Sequence, residues 1–484
     1  WFVAWLGALL AGALPLAGPS GGAGAAKGSH ARVAESARQV RAETLVCDAG
    51  LKAELGELEA PFSVFTAEEL ATSSPATRNR EARPDPGAIA YLQMTSGSTG
   101  VPRAVEVTHR AVFHQVDIQE EVVGAPFGKS AREVIDLAVY WLPLFHDMGL
   151  MVVLYTMLYG MDLWLLPPEA FLARPRIFLE LLHSVGSSVS SGPNFGYQLC
   201  VERVGEEEVA ALDLSSFRAA LTGAEMVRGD TIEAFCTKFG RCGFESRAFR
   251  PCYGLAEATL AVTLDRRGEG PRSLPLPEGA DRGLGLADLV GAGPPVPETE
   301  LKITAPDGSS LAAGSVGEIR VRGPSVFSGY YNDPEATRET LQDGWLRTGD
   351  LGFLDDGELF VAGRVKDLLI VRGQNLMPHE LEWLAESATG GGGSLRAAAF
   401  SVARGPEGEE AVVVVEVSSG DVAALHELAG RVRSRIGREL GLPVADVALV
   451  RRGRIPKTTS GKVKRGELRG LYLDGRLERL DSPA

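Results

Sequence analysis

The hydrophobic and polar positions of the chain follow two different rhythms. Between residues 89 and 263, short apolar runs alternate with longer amphipathic runs. Short apolar runs predict buried strands, whereas apolar positions spaced three or four apart predict helices. The predicted strands are residues 89–94, 137–142, 162–166, 187–190 and 218–222, and the predicted helices are residues 108–122, 148–159, 174–184, 194–204 and 229–240. This repeat predicts βα units around a parallel sheet.

The pattern changes after a stretch rich in Gly, Pro and charged residues at 266–282. Short apolar runs separated by turn residues follow, and the pairs Asp307-Gly308 and Asp356-Gly357 are typical of tight turns between strands. The predicted strands here are residues 300–304, 316–322 and 358–361. This part predicts a β subdomain at about residues 293–362.

The last part of the chain combines strand and helix patterns again. Its predicted strands are residues 367–371, 397–402 and 411–417; its predicted helices start at His379 and span residues 422–440; and residues 390–393 are a predicted loop. We therefore predict an α/β fold with a large domain at residues 1–363 and a small, mobile α+β domain at residues 364–484.

The first eighteen residues are almost uncharged and apolar. No basic residue precedes this run, and small residues and prolines interrupt it, which distinguishes it from a signal peptide. We predict a buried helix followed by a strand, in a large domain that is incomplete at its N-terminus.

Composition narrows the function classes. A chain of 484 residues with 45% hydrophobic and 23% charged residues is typical of a globular protein of two or three domains. The net charge of −14 argues against a nucleic-acid partner. The five scattered cysteines lack metal-ligand spacing with histidine, which favours a reduced, cytoplasmic protein. No segment is long and apolar enough to predict a membrane span.

A run of hydroxyls and glycines, Met-Thr-Ser-Gly-Ser-Thr-Gly, follows the predicted strand at residues 89–94. Glycine lets the backbone approach a phosphate closely, and backbone N–H groups and hydroxyls then donate to its oxygens. The run is not a P-loop, because no Lys-Ser/Thr pair follows Gly100. Alone, such a run is more often a flexible surface loop; the further motifs make a polyphosphate site the better interpretation.

Several further motifs follow in order. They are WLPLFHDMGL at residues 141–150, SGPNF at 191–195, GAE at 223–225, PCYGLAEAT at 251–259, WLRTGD at 345–350, GRVKD at 363–367 and IPKTTSGKVKR at 455–465. With the Gly-rich run, this order resembles the adenylate-forming superfamily of acyl- and aminoacyl-activating enzymes. Within that superfamily it is most similar to the fatty acyl-AMP ligases, and the resemblance covers nearly the whole chain.

The resemblance implies a site for ATP and Mg²⁺. The Gly-rich loop would hold the β- and γ-phosphates through Thr95, Ser96, Gly97, Ser98, Thr99 and Gly100. Arg103 replaces a lysine that is usual in the family, and its guanidinium keeps the charge and binds phosphate in a bidentate fashion. The adenosine contacts implied are Gly223, Ala224 and Glu225 near the adenine, Tyr253 stacked on it, Gly254 beside it, and Asp350 and Arg364 on the ribose. Glu257 would hold Mg²⁺. Without the other motifs, the same segment could be explained as a helix N-terminus with a buried Tyr and a solvent-facing Glu.

The same resemblance implies an acyl pocket and a mobile lysine. His146 and Asp147 would lie beside the acyl carboxylate, and Ser191, Gly192, Pro193 and Asn194 along the acyl tunnel. A lone histidine after a strand is usually structural, but relatives that activate amino acids carry Asp at the position of His146, which argues against an amino-acid substrate. Lys462 would reach the α-phosphate and the carboxylate, and Lys366 would act as the hinge. The catalytic residues implied are Lys462, Glu257, Thr95 and His146.

The reaction implied is ATP-dependent conversion of a fatty acid to an acyl adenylate with release of pyrophosphate. The acyl group would then pass to the thiol of an acyl carrier protein, for lipid or polyketide and lipopeptide synthesis. The chain lacks the insertion that fatty acyl-AMP ligases carry before the Leu-Arg-Thr-Gly-Asp segment, so coenzyme A is the alternative acceptor. A catalytically silent relative is a further alternative, which the retention of Glu257, Asp350, Arg364 and Lys462 disfavours.

Overall fold

The structure is a computed structural model. It describes residues 2–10, 13–17, 29–55, 62–72, 85–95, 103–134, 137–266, 268–275, 288–371, 374–389, 396–403, 409–418, 421–457 and 463–481.

The N-terminal part forms small helices and two pairs of strands. Its elements are α1 (Phe2–Leu10), α2 (Ser29–Gln39), β1 (Thr44–Cys47), α3 (Ala49–Leu55), β2 (Ser63–Thr66), α4 (Ala67–Thr72), β3 (Ile89–Met94) and β4 (Ala104–Thr108). Strands β1 and β2 are parallel, and β3 and β4 are antiparallel. Buried Trp5 of α1 packs edge-on against Tyr91 of β3, with ring centroids 5.6 Å apart. The predicted helix at the start of the chain is confirmed, but Trp5 is the one buried side chain among its described residues, and the described part of the strand predicted after it is one bridge between Leu16 and Leu92.

The central part alternates helices and strands. Its elements are α5 (His109–Gly124), α6 (Ala131–Val134), β5 (Leu137–Tyr140), α7 (Asp147–Tyr159), β6 (Asp162–Leu165), α8 (Pro168–Ala173), α9 (Arg176–Val185), β7 (Val189–Gly192), α10 (Asn194–Arg203), α11 (Glu206–Val209), β8 (Ala219–Thr222), α12 (Gly229–Phe239), β9 (Phe249–Gly254) and β10 (Ala261–Leu264). Short 3₁₀ turns occur at Ala125–Phe127, Gly240–Cys242, Ser246–Ala248 and Ala256–Ala258.

These strands form one six-stranded sheet in the order β10-β9-β8-β7-β5-β6. All neighbours are parallel except β10, which runs antiparallel to β9. Successive strand residues enter two different hydrophobic cores: Ala138 joins the core of α5 and α7, whereas Val139 joins the core of α9, α10 and α12. Helices therefore cover both faces of the sheet, and the predicted α/β fold with βα units is confirmed.

A largely antiparallel β region follows. Its elements are β11 (Ser273–Leu274), β12 (Leu289–Val290), β13 (Glu300–Thr304), β14 (Gly317–Arg322), α13 (Pro334–Thr340), β15 (Leu341–Gln342), β16 (Trp345–Asp355) and β17 (Glu358–Arg364). The long strand β16 pairs with β14, β15 and β17. Two-residue turns at Asp343-Gly344 and Asp356-Gly357 have positive φ at both positions, which matches the twist of the hairpins they close. Helix α13 runs directly into β15, so no further element stands before β16.

The C-terminal part has its own sheet. After a 3₁₀ turn at Val365–Asp367, its elements are β18 (Leu369–Val371), β19 (Gln374–Leu376), α14 (Pro378–Ala388), β20 (Ala397–Ala403), β21 (Glu409–Val417), α15 (Val422–Leu440), β22 (Val444–Arg451) and α16 (Arg465–Leu473). Strand β21 lies between antiparallel β20 and parallel β22. Leu381, Val413 and Val432 belong to one core that joins α14 and α15 to this sheet. The predicted loop at 390–393 lies outside the described residues.

Among the described residues, no helix combines the length and the apolar character needed to cross a bilayer.

Candidate active site

A cleft of about 1760 Å³ lies between the central sheet, the β region and the C-terminal part. Residues at or just after the carboxyl ends of four parallel strands line it: Tyr140 on β5, Ser191 on β7, Leu221 on β8 and Tyr253 on β9. Ligands of open α/β sheets bind at this edge, because the loops after the strands converge there.

Asp350 joins two sides of the cleft. The Tyr253 hydroxyl, at the end of β9, donates a hydrogen bond to Asp350 Oδ2 at 2.7 Å. Arg364 Nε lies 2.8 Å from Asp350 Oδ1, because β16 and β17 pair these two residues directly. Asp350 raises the pKa of Arg364, and burial, reinforced by the charge of Asp350, raises the pKa of Tyr253. Both carboxylate oxygens of Asp350 therefore have a partner that fixes their orientation, and the residue is only 5% exposed at the edge of the cleft.

Glu257 lies in the 3₁₀ turn after β9 and faces the β region. Its Oε1 accepts a hydrogen bond from the Tyr330 hydroxyl at 2.7 Å, and its backbone carbonyl accepts one from the N–H of Phe327 at 2.8 Å. Burial raises the pKa of Glu257, and the Tyr330 hydrogen bond opposes that shift. The guanidinium of Arg103 stands 5.3 Å from the centre of the Tyr330 ring, so an acid and a cation flank one tyrosine.

The turn that carries Glu257 has little freedom. A Cβ on Gly254 would overlap the carbonyl oxygen of Leu260, so the backbone at this position accepts only glycine without moving. Buried Thr259 has φ of +67°, which is rare for a β-branched residue, and its hydroxyl donates to the carbonyl of Ser325 at 2.8 Å. The strain and the tether together fix the position of Glu257.

The base of the Gly-rich loop is closed by two hydrogen bonds. The Thr95 N–H donates to the Arg103 carbonyl at 2.8 Å, and the Thr95 hydroxyl accepts from the Arg103 N–H at 3.2 Å. Both residues line the cleft. The residues between them that were predicted to hold phosphate lie outside the described part of the chain: Ser96, Gly97, Ser98, Thr99 and Gly100.

His146 and Asp147 lie at the start of α7. His146 Nδ1 is 2.5 Å from Asp147 Oδ1, and the same carboxylate oxygen accepts a hydrogen bond from the N–H of Met148 at 2.7 Å. Both side chains line the cleft. The N–H of Met148 therefore holds the Asp147 carboxylate at the start of the helix, next to the imidazole of His146.

The predicted acyl-tunnel segment lies where β7 ends and α10 begins. Ser191 and Asn194 line the cleft, whereas Gly192 and Pro193 are not part of its lining. A Cβ on Gly192 would lie 3.2 Å from Trp141 Cζ2, so this glycine packs behind the wall against the indole. The apolar side chains of the wall are Met148, Val152, Phe195 and Leu199.

The Gly-Ala-Glu segment follows β8. Gly223 lies against Cys252, where a Cβ would come within 2.6 Å of the carbonyl oxygen, and it does not line the cleft. Ala224, with φ of +64°, and Glu225 do line it. Glu225 Oε1 accepts a hydrogen bond from the N–H of Phe195 at 2.6 Å, so this side chain is bound to the start of α10.

Two predicted lysines belong to the C-terminal part. Lys366 lies in the 3₁₀ turn after β17 and lines the cleft; burial, with a further contribution from Arg364, lowers its pKa. Lys462 lies outside the described residues. Lys457 and Val463, on either side of it, pair in an antiparallel bridge and both line the cleft.

The cleft also contains residues that the sequence did not predict. Tyr330 holds Glu257, Arg228 reaches the C-terminal part, and Trp383 lines the opposite wall. None of the three stands in a motif with recognisable spacing, so their positions follow from the tertiary structure.

Comparisons with known proteins agree on one family. The family described as AMP-binding enzyme matches residues 1–331. The chain is 36% identical to a putative acyl-CoA synthetase of Caulobacter vibrioides, over 92% of this chain and 78% of the relative. It is 37% identical to the medium-chain-fatty-acid–[acyl-carrier-protein] ligase JamA of Moorena producens, over 81% of this chain and 69% of the relative.

The fold agrees with this family too. A solved structure from work on the fatty acyl-adenylate ligases of E. coli and L. pneumophila superimposes with a TM-score of 0.84. That structure is 30% identical in sequence, and the match covers 98% of this chain and 85% of the other.

Proposed function

The chain belongs to the AMP-binding enzymes, and from this premise we propose that it is a fatty acyl-AMP ligase. It activates a fatty acid with ATP and passes the acyl group to the thiol of an acyl carrier protein. The observation that carries the proposal is one cleft lined both by fixed polar groups at Tyr253, Glu257 and Asp350 and by the apolar wall around Phe195.

The polar groups match the parts of a nucleotide. Asp350 offers carboxylate oxygens whose remaining lone pairs suit a ribose diol, with Arg364 beside it. Tyr253 presents a ring for the adenine, next to the backbone of Ala224. Arg103 and the hydroxyl groups from Thr95 onward supply charge and donors for the phosphates.

Glu257 fits a magnesium ion. Mg²⁺ usually keeps several waters and takes one or two protein carboxylates together with substrate phosphates, so a single positioned carboxylate suffices. The Tyr330 hydrogen bond leaves Glu257 Oε2 for such a ligand. When bound, Mg²⁺ neutralises charge on the phosphates.

The first half-reaction needs positioning of two anions. A carboxylate oxygen of the fatty acid attacks the α-phosphorus of ATP; the new O–P bond forms as the bond to the β-phosphate oxygen breaks, and pyrophosphate leaves. His146, which lines the cleft next to Asp147, would donate a hydrogen bond to the fatty-acid carboxylate. Lys462 approaches from the C-terminal part and offsets the charge of the transition state.

In the second half-reaction the carrier thiolate attacks the acyl carbonyl, a thioester forms, and AMP leaves with the bonding electrons of the anhydride C–O bond. We propose that residues 364–484 form the mobile domain, that residues 1–363 form the large domain, and that Lys366 is the hinge between them. Coenzyme A is the second candidate acceptor, because α13 runs directly into β15 without an insertion and because one similar protein is described as a putative acyl-CoA synthetase.

The test is acyl-adenylate formation with Mg-ATP and saturated fatty acids of graded length, without acceptor, with coenzyme A, or with a phosphopantetheinylated acyl carrier protein. Adenylate that transfers to the carrier and ignores coenzyme A supports the proposal. Conversion to acyl-CoA replaces it with the second candidate, and no adenylate at any chain length overturns both.

A matched pair of lysine variants tests the catalytic assignment in the same assay. Lys462→Ala should lower adenylate formation about 100-fold, as expected when a transition-state cation is removed. Lys464→Ala changes a lysine two positions from Lys462 that pairs with Glu467, and it should alter adenylate formation less than about twofold.

A further inference from the structure

The four residues 225–228, which we call the 225–228 segment, lie in the connection between β8 and α12. They contact the acyl-pocket wall. Glu225 Oε1 accepts the hydrogen bond from the N–H of Phe195 at 2.6 Å. The N–H of Arg228 donates to Asn194 Oδ1 at 3.0 Å. Asn194 and Phe195 are the first two residues of α10, so both ends of the segment are bound to the start of one pocket helix.

The side chain of Arg228 points the other way, to the C-terminal part. Its Nη1 lies 2.6 Å from Glu386 Oε2, and its guanidinium stands 5.2 Å from the centre of the Trp383 ring. Both partners belong to α14. Asp230 binds the other edge of the guanidinium at 2.6 Å from Nη2, which fixes the plane of the group.

The contact with Glu386 is buried on both sides. The side chain of Arg228 is 18% exposed and that of Glu386 is 7% exposed. Glu386 Oε1 also accepts a hydrogen bond from the N–H of Ala397 at the start of β20, so the carboxylate is anchored in the C-terminal sheet. Removing one partner of such a charge pair destabilises the protein, because the remaining charge stays shielded from water without a counter-charge.

The pair spans the proposed hinge. Arg228 precedes the 3₁₀ turn at Val365–Asp367 and Glu386 follows it, so rotation of the C-terminal part about this turn must separate them. In the same structure Lys457 and Val463, both of the C-terminal part, line the cleft. The contact therefore belongs to an arrangement in which the C-terminal part faces the cleft.

We propose that Arg228 is a positioning residue that docks α14 for the adenylation step, and that the 225–228 segment couples this docking to the acyl-pocket wall. An acyl chain that orders the start of α10 also orders the segment and favours docking. Docking by the same contacts favours acyl binding, because coupling between two sites is reciprocal. The inference rests on the proposed function and concerns the residues that select between its two half-reactions.

The kinetic test separates those half-reactions. In Arg228→Ala and in Glu386→Gln, adenylate formation measured by hydroxylamine trapping should fall about tenfold or more. Transfer from enzyme loaded with preformed acyl adenylate to the carrier thiol should stay within twofold or become faster. In the double variant the loss should not exceed that of the more affected single variant, because the two groups act through one contact.

Arg241→Ala is the matched control. Arg241 pairs with Glu206 at 2.9 Å, both side chains are 69% exposed, and neither belongs to the C-terminal part. This variant should keep both half-reactions within twofold. Equal loss of both half-reactions in Arg228→Ala would overturn the proposal, since a merely structural arginine would affect them alike.

A physical readout keeps the inference testable without activity. Hydrogen–deuterium exchange of α14 in the ligand-free protein should be faster in Arg228→Ala than in Arg241→Ala. Addition of dodecanoyl-sulfamoyl adenosine should slow the exchange of both α10 and α14 in the unchanged protein. In Arg228→Ala it should slow the exchange of α10 but not that of α14. Equal protection of α14 in both proteins would overturn the coupling, whereas absence of adenylate in the unchanged protein would overturn the proposed function instead. Trp383→Leu provides the same exchange test if Arg228→Ala does not fold.

Discussion

Asp350 shows how a single side chain acquires its chemistry from partners that are distant in sequence. The Thr-Gly-Asp pattern marks the residue, but the structure adds the Tyr253 hydroxyl and the Arg364 guanidinium on its two oxygens. Each partner contacts one carboxylate oxygen, and together they fix the orientation of a side chain that is almost fully buried.

Asp350→Ala should lower adenylate formation about 100-fold, because it removes the ribose acceptor. It should also lower the free energy of unfolding by about 2 kcal/mol, because the buried Tyr253 hydroxyl loses its acceptor and the part-exposed Arg364 loses its carboxylate. Tyr253→Phe keeps the ring and removes one hydrogen bond, so it should cost about 1 kcal/mol. Pyrophosphate exchange and urea denaturation measure the two effects; equal stability losses in the two variants would contradict the role of the ion pair.

Glu380 gives the protein a pH-dependent stability. Its carboxylate caps α14 by accepting a hydrogen bond from the N–H of Met377 at 2.9 Å, yet burial raises its pKa to about 8 from an ordinary value of 4.5. The folded protein therefore binds the proton more tightly than the unfolded chain does. The resulting stability is present below pH 4.5 and is lost as the pH rises through about 8.

Glu380→Gln keeps an acceptor for the cap and removes the titration. The drop in unfolding free energy between pH 5 and pH 8.5 should therefore be smaller in this variant, by roughly 4 kcal/mol. Denaturation at the two pH values measures it. An identical drop in both proteins would show that the buried carboxyl does not titrate in this range.

At the scale of elements, α10 shows why a glycine can be required inside a helix. Gly196 faces Trp141, where a Cβ would lie 2.6 Å from Cζ2, and the indole is itself stacked on Phe171 with ring centroids 3.9 Å apart. In α15, by contrast, a Cβ on Gly430 would meet nothing within 4 Å. Replacement of glycine by alanine should therefore have opposite effects on stability in the two helices.

Gly196→Ala should destabilise the protein by about 1–3 kcal/mol, because the stacked indole must move. Gly430→Ala should stabilise it by about 0.5–1 kcal/mol, since alanine restricts the unfolded chain and fills open space. Thermal unfolding of both variants compares them directly. A stabilising Gly196→Ala would show that Trp141 yields easily.

The 3₁₀ turn at Val365–Asp367 connects the large and C-terminal parts. Proline fixes φ near −65°, which a 3₁₀ turn accepts. Lys366→Pro should thus preserve the arrangement described here, keep adenylate formation within about threefold and lower transfer to the carrier more than about 10-fold. Separate assays of the two half-reactions measure this, with Lys366→Ala as the flexible control. Unchanged transfer would show that the turn is not the hinge.

At the scale of the whole molecule, a basic stretch stands out against the net charge of −14. No acidic residue occurs between Arg451 and Arg465 in the sequence, and Arg451, Arg452 and Arg454 are exposed. Such a surface attracts an acidic partner and accelerates its association at low ionic strength.

Charge reversal at Arg451 and Arg452 should slow acyl transfer to an acidic carrier protein about tenfold and reduce its salt dependence. Adenylate formation should not change. Arg438→Glu, at another exposed arginine of the C-terminal part, is the control. Transfer rates at low and high salt measure the effect, and unchanged transfer after reversal would place the docking face elsewhere.

The sequence by itself determined the elements whose signals are local. Strands Ile89–Met94 and Glu300–Thr304 and helix Val422–Leu440 have the predicted bounds, because apolar periodicity and end signals such as the Asp421 cap and Gly441 lie within the segments themselves. Strand β22 and helix α16 were not predicted: β22 depends on parallel pairing with β21, which no local pattern encodes.

The same division holds for the site. Consecutive motifs predicted Glu257, Asp350 and Arg364 as site residues, since a run of characteristic residues is visible without a fold, and all three line one cleft. Only the tertiary structure decided that Tyr330 holds Glu257, that Gly192 packs behind the pocket wall, and that Arg228 reaches α14. The physical reason is that hydrogen bonds, packing and ion pairs act over a few ångströms in space, between residues that the chain separates by tens to hundreds of positions.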